Sequence, residues 1–139
     1  MKVFTIVAVI LLVISLPVFS GGQPEPAPMM SAEADTPMVE FINSGHAMML
    51  AESKPTVLFF NASWCPSCKS AVRDFEKNMD DLAGINLVLV DYDNSDDLQK
   101  KYGVTYQHTF VQIDSEGESL VKWNGGDIKE LLEKIVKDQ

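Results

Sequence analysis

Thr56-Val57-Leu58-Phe59-Phe60-Asn61-Ala62-Ser63-Trp64-Cys65-Pro66-Ser67-Cys68-Lys69 is the stretch from which the rest of the chain can be read. Thr56 to Phe60 is a β-branched and aromatic run launched from Pro55, and it predicts a buried central strand. Downstream, Ala71, Val72, Phe75, Met79 and Leu82 recur at helical spacing, with Arg73, Asp74, Glu76 and Lys77 on the other face. Cys65-Pro66-Ser67-Cys68 sits where the strand should end and the helix begin. There, the unpaired amides and the positive end of the helix dipole favour a thiolate at Cys65. Pro66 at the first helical position loses no needed hydrogen bond. Cys68, one turn along, is close enough to resolve a mixed disulfide formed at Cys65. Cys65 is expected to be the nucleophile, as the more exposed sulfur and the nearer to the dipole end. A static disulfide is the plain alternative, but closing so small a loop restricts the unfolded chain little.

Helical and strand patterns alternate on either side. Gly84 marks a helix stop, and Ile85 to Val90 is a near-continuous apolar run of the kind that parallel sheets bury on both faces. Ser95 is placed to cap a helix running to Tyr102 and ended by Gly103. Thr109–Ile113 and Ser119–Trp123 flank Asp114-Ser115-Glu116-Gly117, which reads as a hairpin with Gly117 in the turn. Asp127 then caps a last helix whose Ile128, Leu131, Leu132, Ile135 and Val136 form one apolar stripe. Upstream, a short helix from Ser44 to Glu52 comes after a strand or turn around Val39-Glu40-Phe41. The order β-α-β-α-β-α-β-β-α predicts an α/β fold with a mixed central sheet flanked by helices on both faces.

The 139 residues divide into three parts. Residues 1–20 hold one charge, Lys2, and an apolar run from Val3 to Val18 that suits a secretory signal, with Ser20 a fitting cleavage point. A retained N-terminal membrane anchor is the competing reading, since the run approaches the ~20 residues that span a bilayer. Either reading exports the remainder of the chain. Residues 21–37 are Pro-rich and acidic without apolar periodicity, a composition that makes an extended tether. Residues 38–139 are left as one folded domain. With 46% hydrophobic and 22% charged residues, composition excludes disorder and low-complexity classes. The net charge of −9 repels phosphate backbones and anionic headgroups, so neither nucleic acid nor a membrane surface is an expected partner.

Ala62-Ser63-Trp64-Cys65-Pro66-Ser67-Cys68-Lys69 resembles the active-site segment of the thioredoxin family, including the Trp before the first Cys. Lys101-Tyr102-Gly103-Val104 followed by Thr109-Phe110 is similar to that family's second signature, and Asp114 to Gly117 with Gly125 to its hairpin turn and following glycine. The resemblance spans roughly residues 38–139. It implies a thioredoxin-like fold and a redox-active pair at Cys65 and Cys68, with protein thiols or disulfides as substrates. It also implies substrate contacts at Trp64, Pro66, Gln107, His108 and Thr109. Together with the export signal it is most similar to extracytoplasmic thioredoxin-like proteins, periplasmic or tethered to the membrane by residues 3–20. An upstream redox partner, a role in redox homeostasis and a monomeric state are expected, with no resident cofactor or metal.

Two departures from the family pattern stand out. Phe59 falls where many thioredoxins carry a buried acid that moves a proton at the second cysteine. His108 falls where the family has a proline in cis, and the chain holds no proline after Pro66. A non-proline cis bond costs about 2.5–4 kcal/mol, so a trans Gln107–His108 bond is expected. His108 then has three readings: a cation stabilising the thiolate, a third ligand beside two cysteines for zinc or copper, or a polar residue making a local hydrogen bond. The second of these defines an alternative function, a metal-binding chaperone built on Cys65, Cys68 and His108. A redox-inactive adaptor is a third. His46 with Met48 and Met49 is a weaker copper pattern, and is read as a surface His beside core methionines. Asp91, Asp93, Asp96 and Asp97 are read as a solvated turn and helix start, and Trp123 as packing.

Overall fold

A computed structural model describes residues 36–137. The signal or anchor segment, and all but the last two residues of the tether, lie outside the described residues. Five strands form one sheet in the order β1-β3-β2-β4-β5: β1 (Met38–Glu40), β2 (Thr56–Asn61), β3 (Asn86–Asp91), β4 (Thr109–Ile113) and β5 (Ser119–Asn124). β1 and β2 pair with β3 in parallel, while β4 runs antiparallel to both β2 and β5. Helices α1 (Ser44–Ala51), α2 (Pro66–Lys77), α3 (Asp96–Tyr102) and α4 (Ile128–Lys134) complete the expected order. The uncertain first element is thus a strand, on the parallel edge of the sheet.

Period-two alternation divides the central strand between two cores. Val57 and Phe59 point to the face shared with Ala71 and Phe75 of α2 and Leu131 of α4. Leu58 and Phe60 point to the other, with Ala47 and Ala51 of α1 and Tyr102 of α3. Both faces of β2 are therefore dry, which is why its sequence is apolar without interruption. On the α2 face, Phe59, Phe110 and Trp123 stand in register on three adjacent strands. Their rings stack at 4.3 Å and 5.1 Å between centroids. This aromatic column is the floor beneath the cysteines, and Trp123 packs as expected.

Four local expectations need correction. The helix after Cys65 does not continue to Leu82. Asn78 leaves helical geometry, its side chain donates to the Asp74 carbonyl at 2.7 Å, and a 3₁₀ turn comes next at Met79–Leu82. An Asn that captures a carbonyl of the preceding turn competes with helix propagation. Ser95 stands at the N-terminus of α3 but makes no capping bond through its side chain. Val136 is not part of the core stripe: α4 stops at Lys134, and Val136 is exposed. The fully buried Gln112 holds Val136 instead, accepting from its N–H and donating to its C=O, both at 2.7 Å. His46 is half-buried rather than on the surface, with Nδ1 enclosed and without a hydrogen-bond partner, while Met49 beside it is exposed rather than in the core. Asp127 caps α4 as expected, accepting from the N–H groups of Lys129 and Glu130.

Candidate functional site

The site begins where β2 leaves the sheet. Asn61 donates to the Val90 carbonyl at 3.2 Å, and the Cys65 N–H closes a turn onto the Ala62 carbonyl at 3.1 Å. Cys65 is extended, at φ −82° and ψ 114°, and serves as the N-cap of α2 with Pro66 just inside. Its Sγ takes the place usually held by a Ser or Asp oxygen, accepting the Cys68 N–H at 3.2 Å and lying 3.2 Å from the Ser67 hydroxyl. Once the thiol is free, both donors and the end of the helix favour the thiolate. Cys65 and Cys68 are joined as a disulfide, with Cα atoms 5.3 Å apart.

Exposure does not separate the two sulfurs as expected. Cys65 is 2% exposed and Cys68 1%, because the aromatic floor and α2 enclose both residues. Position at the helix cap is what distinguishes them. Trp64 is 57% exposed beside them, and its indole donates to Asp93 at 2.8 Å. The sequence pattern marks Asp93 only as a solvated turn residue, whereas it braces this ring.

His108 lies opposite. The Gln107–His108 bond is trans, as expected, but His108 is at φ +61°, the only non-glycine residue with positive φ among those described. That conformation is uncommon outside glycine, with His among the residues enriched there. Here the surroundings hold it. The His108 N–H donates to Phe60 O and its carbonyl accepts from Gly125 N–H, both at 2.7 Å. The Asn124 amide bonds the carbonyls of Gln107 and His108 and the hydroxyl of Thr109, at 3.0, 3.2 and 3.0 Å. The imidazole, 9% exposed, meets Phe59 and Phe110 edge-on at 5.4 and 5.7 Å. Nε2 lies 3.0 Å from the Gly126 carbonyl, which can only accept, so Nε2 carries the proton. The local hydrogen bond of the third reading is therefore present.

One ring nitrogen of His108 and both sulfurs lie within 4.8 Å of one another, and among the described residues no other cluster of three such ligands is found. His46 does not join a metal-ligating cluster of this kind. Pro66 is exposed beside the sulfurs, Gln107 is half-buried, and Thr109 is buried with its hydroxyl donating to Tyr106 O at 2.7 Å. Tyr106, 68% exposed, adds an aromatic surface to the same loop. Neither Tyr106 nor Asn124 carries any periodic or motif signal, and Ser67 has no signal beyond its place as a spacer between the cysteines.

The family model of thioredoxin matches residues 37–138. The chain belongs to the thioredoxin family. Thioredoxin H4 of Arabidopsis thaliana is 34% identical over 88 residues, covering 61% of this chain and 71% of the relative. Thioredoxin H2 of the same plant is 28% identical over 125 residues, covering 86% and 92%. Among solved structures, the thioredoxin of Trypanosoma brucei brucei superposes with a TM-score of 0.62 at 28% identity, over 73% of this chain and 91% of that one. With its paired cysteines at the strand-to-helix join, this member of the family is a thiol–disulfide oxidoreductase, and the family's substrates are thiols and disulfides of proteins.

Proposed function

We propose that the chain exchanges disulfides with proteins outside the cytoplasm, with Cys65 as the nucleophile and Cys68 as the resolving thiol. The observation that carries this assignment is the capping geometry: Cys65 Sγ, not Cys68 Sγ, receives the helix-terminal N–H. In the reducing direction, the Cys65 thiolate attacks a substrate disulfide. A mixed disulfide forms and one substrate thiolate leaves. The Cys68 thiolate then attacks Cys65 Sγ, closing the Cys65–Cys68 disulfide and releasing the second substrate thiolate. Both electrons pass to the substrate, and protons from solvent balance the charge. The oxidising direction runs the same steps backwards. Export rests on the apolar run of residues 3–18. The exposed Trp64 and Pro66 beside the sulfurs, with the exposed Tyr106 on the loop that leads to Thr109, supply the substrate contacts.

Trapping tests the assignment. Cys68→Ser should accumulate mixed disulfides with partner proteins, seen on non-reducing gels, and Cys65→Ser should accumulate few. The reverse pattern overturns it. Fractionation of expressing cells, with the N-terminus of the recovered chain read by mass spectrometry, tests export. A chain found in the cytoplasm with residues 1–20 intact sinks that part.

A further inference from the structure

We propose that, once the Cys65–Cys68 disulfide is reduced, both sulfurs and His108 bind a single zinc ion, and that the bound ion blocks disulfide exchange. The argument starts from the three ligand atoms, which already lie within 4.8 Å of one another on two separate elements. Tetrahedral zinc, with bonds of ~2.3 Å to sulfur and ~2.0–2.1 Å to nitrogen, spaces neighbouring ligand atoms by roughly 3.5–3.8 Å. Once the bond between the sulfurs is opened, the three atoms are already gathered within about an ångström of the separation that the ion would impose.

The histidine keeps one ring nitrogen free to ligate. Its Nε2–H is held by the Gly126 carbonyl at 3.0 Å, which leaves the lone pair on Nδ1. A ligating histidine commonly donates its other N–H to a backbone carbonyl in this way, and the bond fixes both tautomer and ring plane. The Phe59 and Phe110 rings pack against the imidazole on the side away from solvent, and the positive φ persists because Asn124, Phe60 and Gly125 hold the loop. The Cys68 N–H at Cys65 Sγ supports a coordinated thiolate as well as a free one. Two sulfurs and one imidazole suit zinc, and three protein ligands leave a fourth position for water or an incoming thiolate.

Binding changes no oxidation state. Two thiols lose their protons to solvent, the neutral imidazole displaces water, and the ion joins three donors. The proposal takes from the exchange reading only that the dithiol can be formed, by a thiol or phosphine reductant. Occupancy then removes both nucleophiles together. Exchange should therefore be off while zinc is bound and on again when it is withdrawn.

The experiment uses the full 139-residue chain, reduced with a phosphine under anaerobic conditions and titrated with zinc chloride against a chromophoric chelator. Expected are one zinc per reduced chain and none per oxidised chain. Cobalt(II) in its place should give a thiolate-to-metal charge-transfer absorption. His108→Asn should weaken binding by roughly tenfold or more, and Asn accepts a left-handed backbone. Should that variant fail to fold, as judged by circular dichroism, the ring resonances of His108 in the native chain must shift on adding zinc. No zinc on the reduced chain, equal binding by the oxidised chain, unshifted His108 resonances or native affinity in a folded His108→Asn overturns the proposal. Disulfide exchange is then measured with excess chelator and with one equivalent of zinc. The chelator arm holds no metal, so failure there counts against the exchange reading alone. Undiminished exchange with zinc bound overturns the block.

Discussion

His108 shows how much one backbone angle can decide. At φ +61° its N–H reaches Phe60 O, its carbonyl reaches Gly125, and its ring turns inward over Phe59 and Phe110. A proline there would be locked near φ −65° and would lack the N–H. His108→Pro, the change that makes the loop more like its family, should therefore destabilise the native arrangement by about 2–4 kcal/mol, from a lost buried hydrogen bond and a forbidden angle. Urea unfolding of the oxidised protein gives the measurement. An unchanged or higher midpoint would mean that the loop accepts a proline turn and that the left-handed His108 is dispensable. Phe59 illustrates the opposite case. It fills the site of the family's buried acid with an apolar ring stacked on Phe110, so proton movement at Cys68 has no carboxylate on that strand to use.

At the scale of elements, the ends of helices and strands are controlled by a few amide side chains. Asn78 ends α2, Asn124 ties the tip of β5 to the start of β4, and Gln112 ties β4 to the chain leaving α4. Gln112 is fully buried and both ends of its amide are engaged with Val136. Replacing it by Leu leaves two backbone groups without their partners while keeping similar volume, and should cost about 1–3 kcal/mol. The loss should be local. Hydrogen exchange at Val136 is expected to accelerate markedly in Gln112→Leu while β2 amides stay protected until global unfolding. Unaltered protection at Val136 would show that the clamp contributes nothing. None of the three amides is visible from periodicity, because a polar residue inside an apolar strand or after a helix has no characteristic spacing.

Over the whole molecule, charge is the dominant long-range property. The chain carries 20 acidic against 11 basic side chains, and the ion pairs of α3 and α4 are exposed, so they add little to stability. The net field acts on encounter instead. Exchange with a disulfide peptide rich in Lys should slow as salt is raised from about 0.01 to 0.15 M, where the Debye length falls from ~30 to ~8 Å, and exchange with an acidic peptide should quicken. Stopped-flow rates with the two peptides decide it. Matching salt dependences would show that the surface around Trp64 and Tyr106 does not feel the net charge.

The sequence alone determined what depends on short-range order. The run of Thr56 to Phe60 is buried because every second residue faces a different core, and apolar side chains on both faces leave a strand no other place. Cys65-Pro66-Ser67-Cys68 lies at a helix start because Pro66 is tolerated there and the cysteine spacing spans one turn, so the redox pair and the thioredoxin family were legible together. The tertiary structure decided how distant segments meet. The turn at residues 107–109 is shaped by Asn124, Gly125 and Phe60, none of them neighbours of His108 in sequence, and its left-handed angle has no local cause. The place of the imidazole beside two sulfurs comes from that angle together with the Gly126 carbonyl 18 residues further on. Hydrogen bonds between remote groups become available only after the two cores have closed on the sheet. They therefore leave no period in the chain from which to read them.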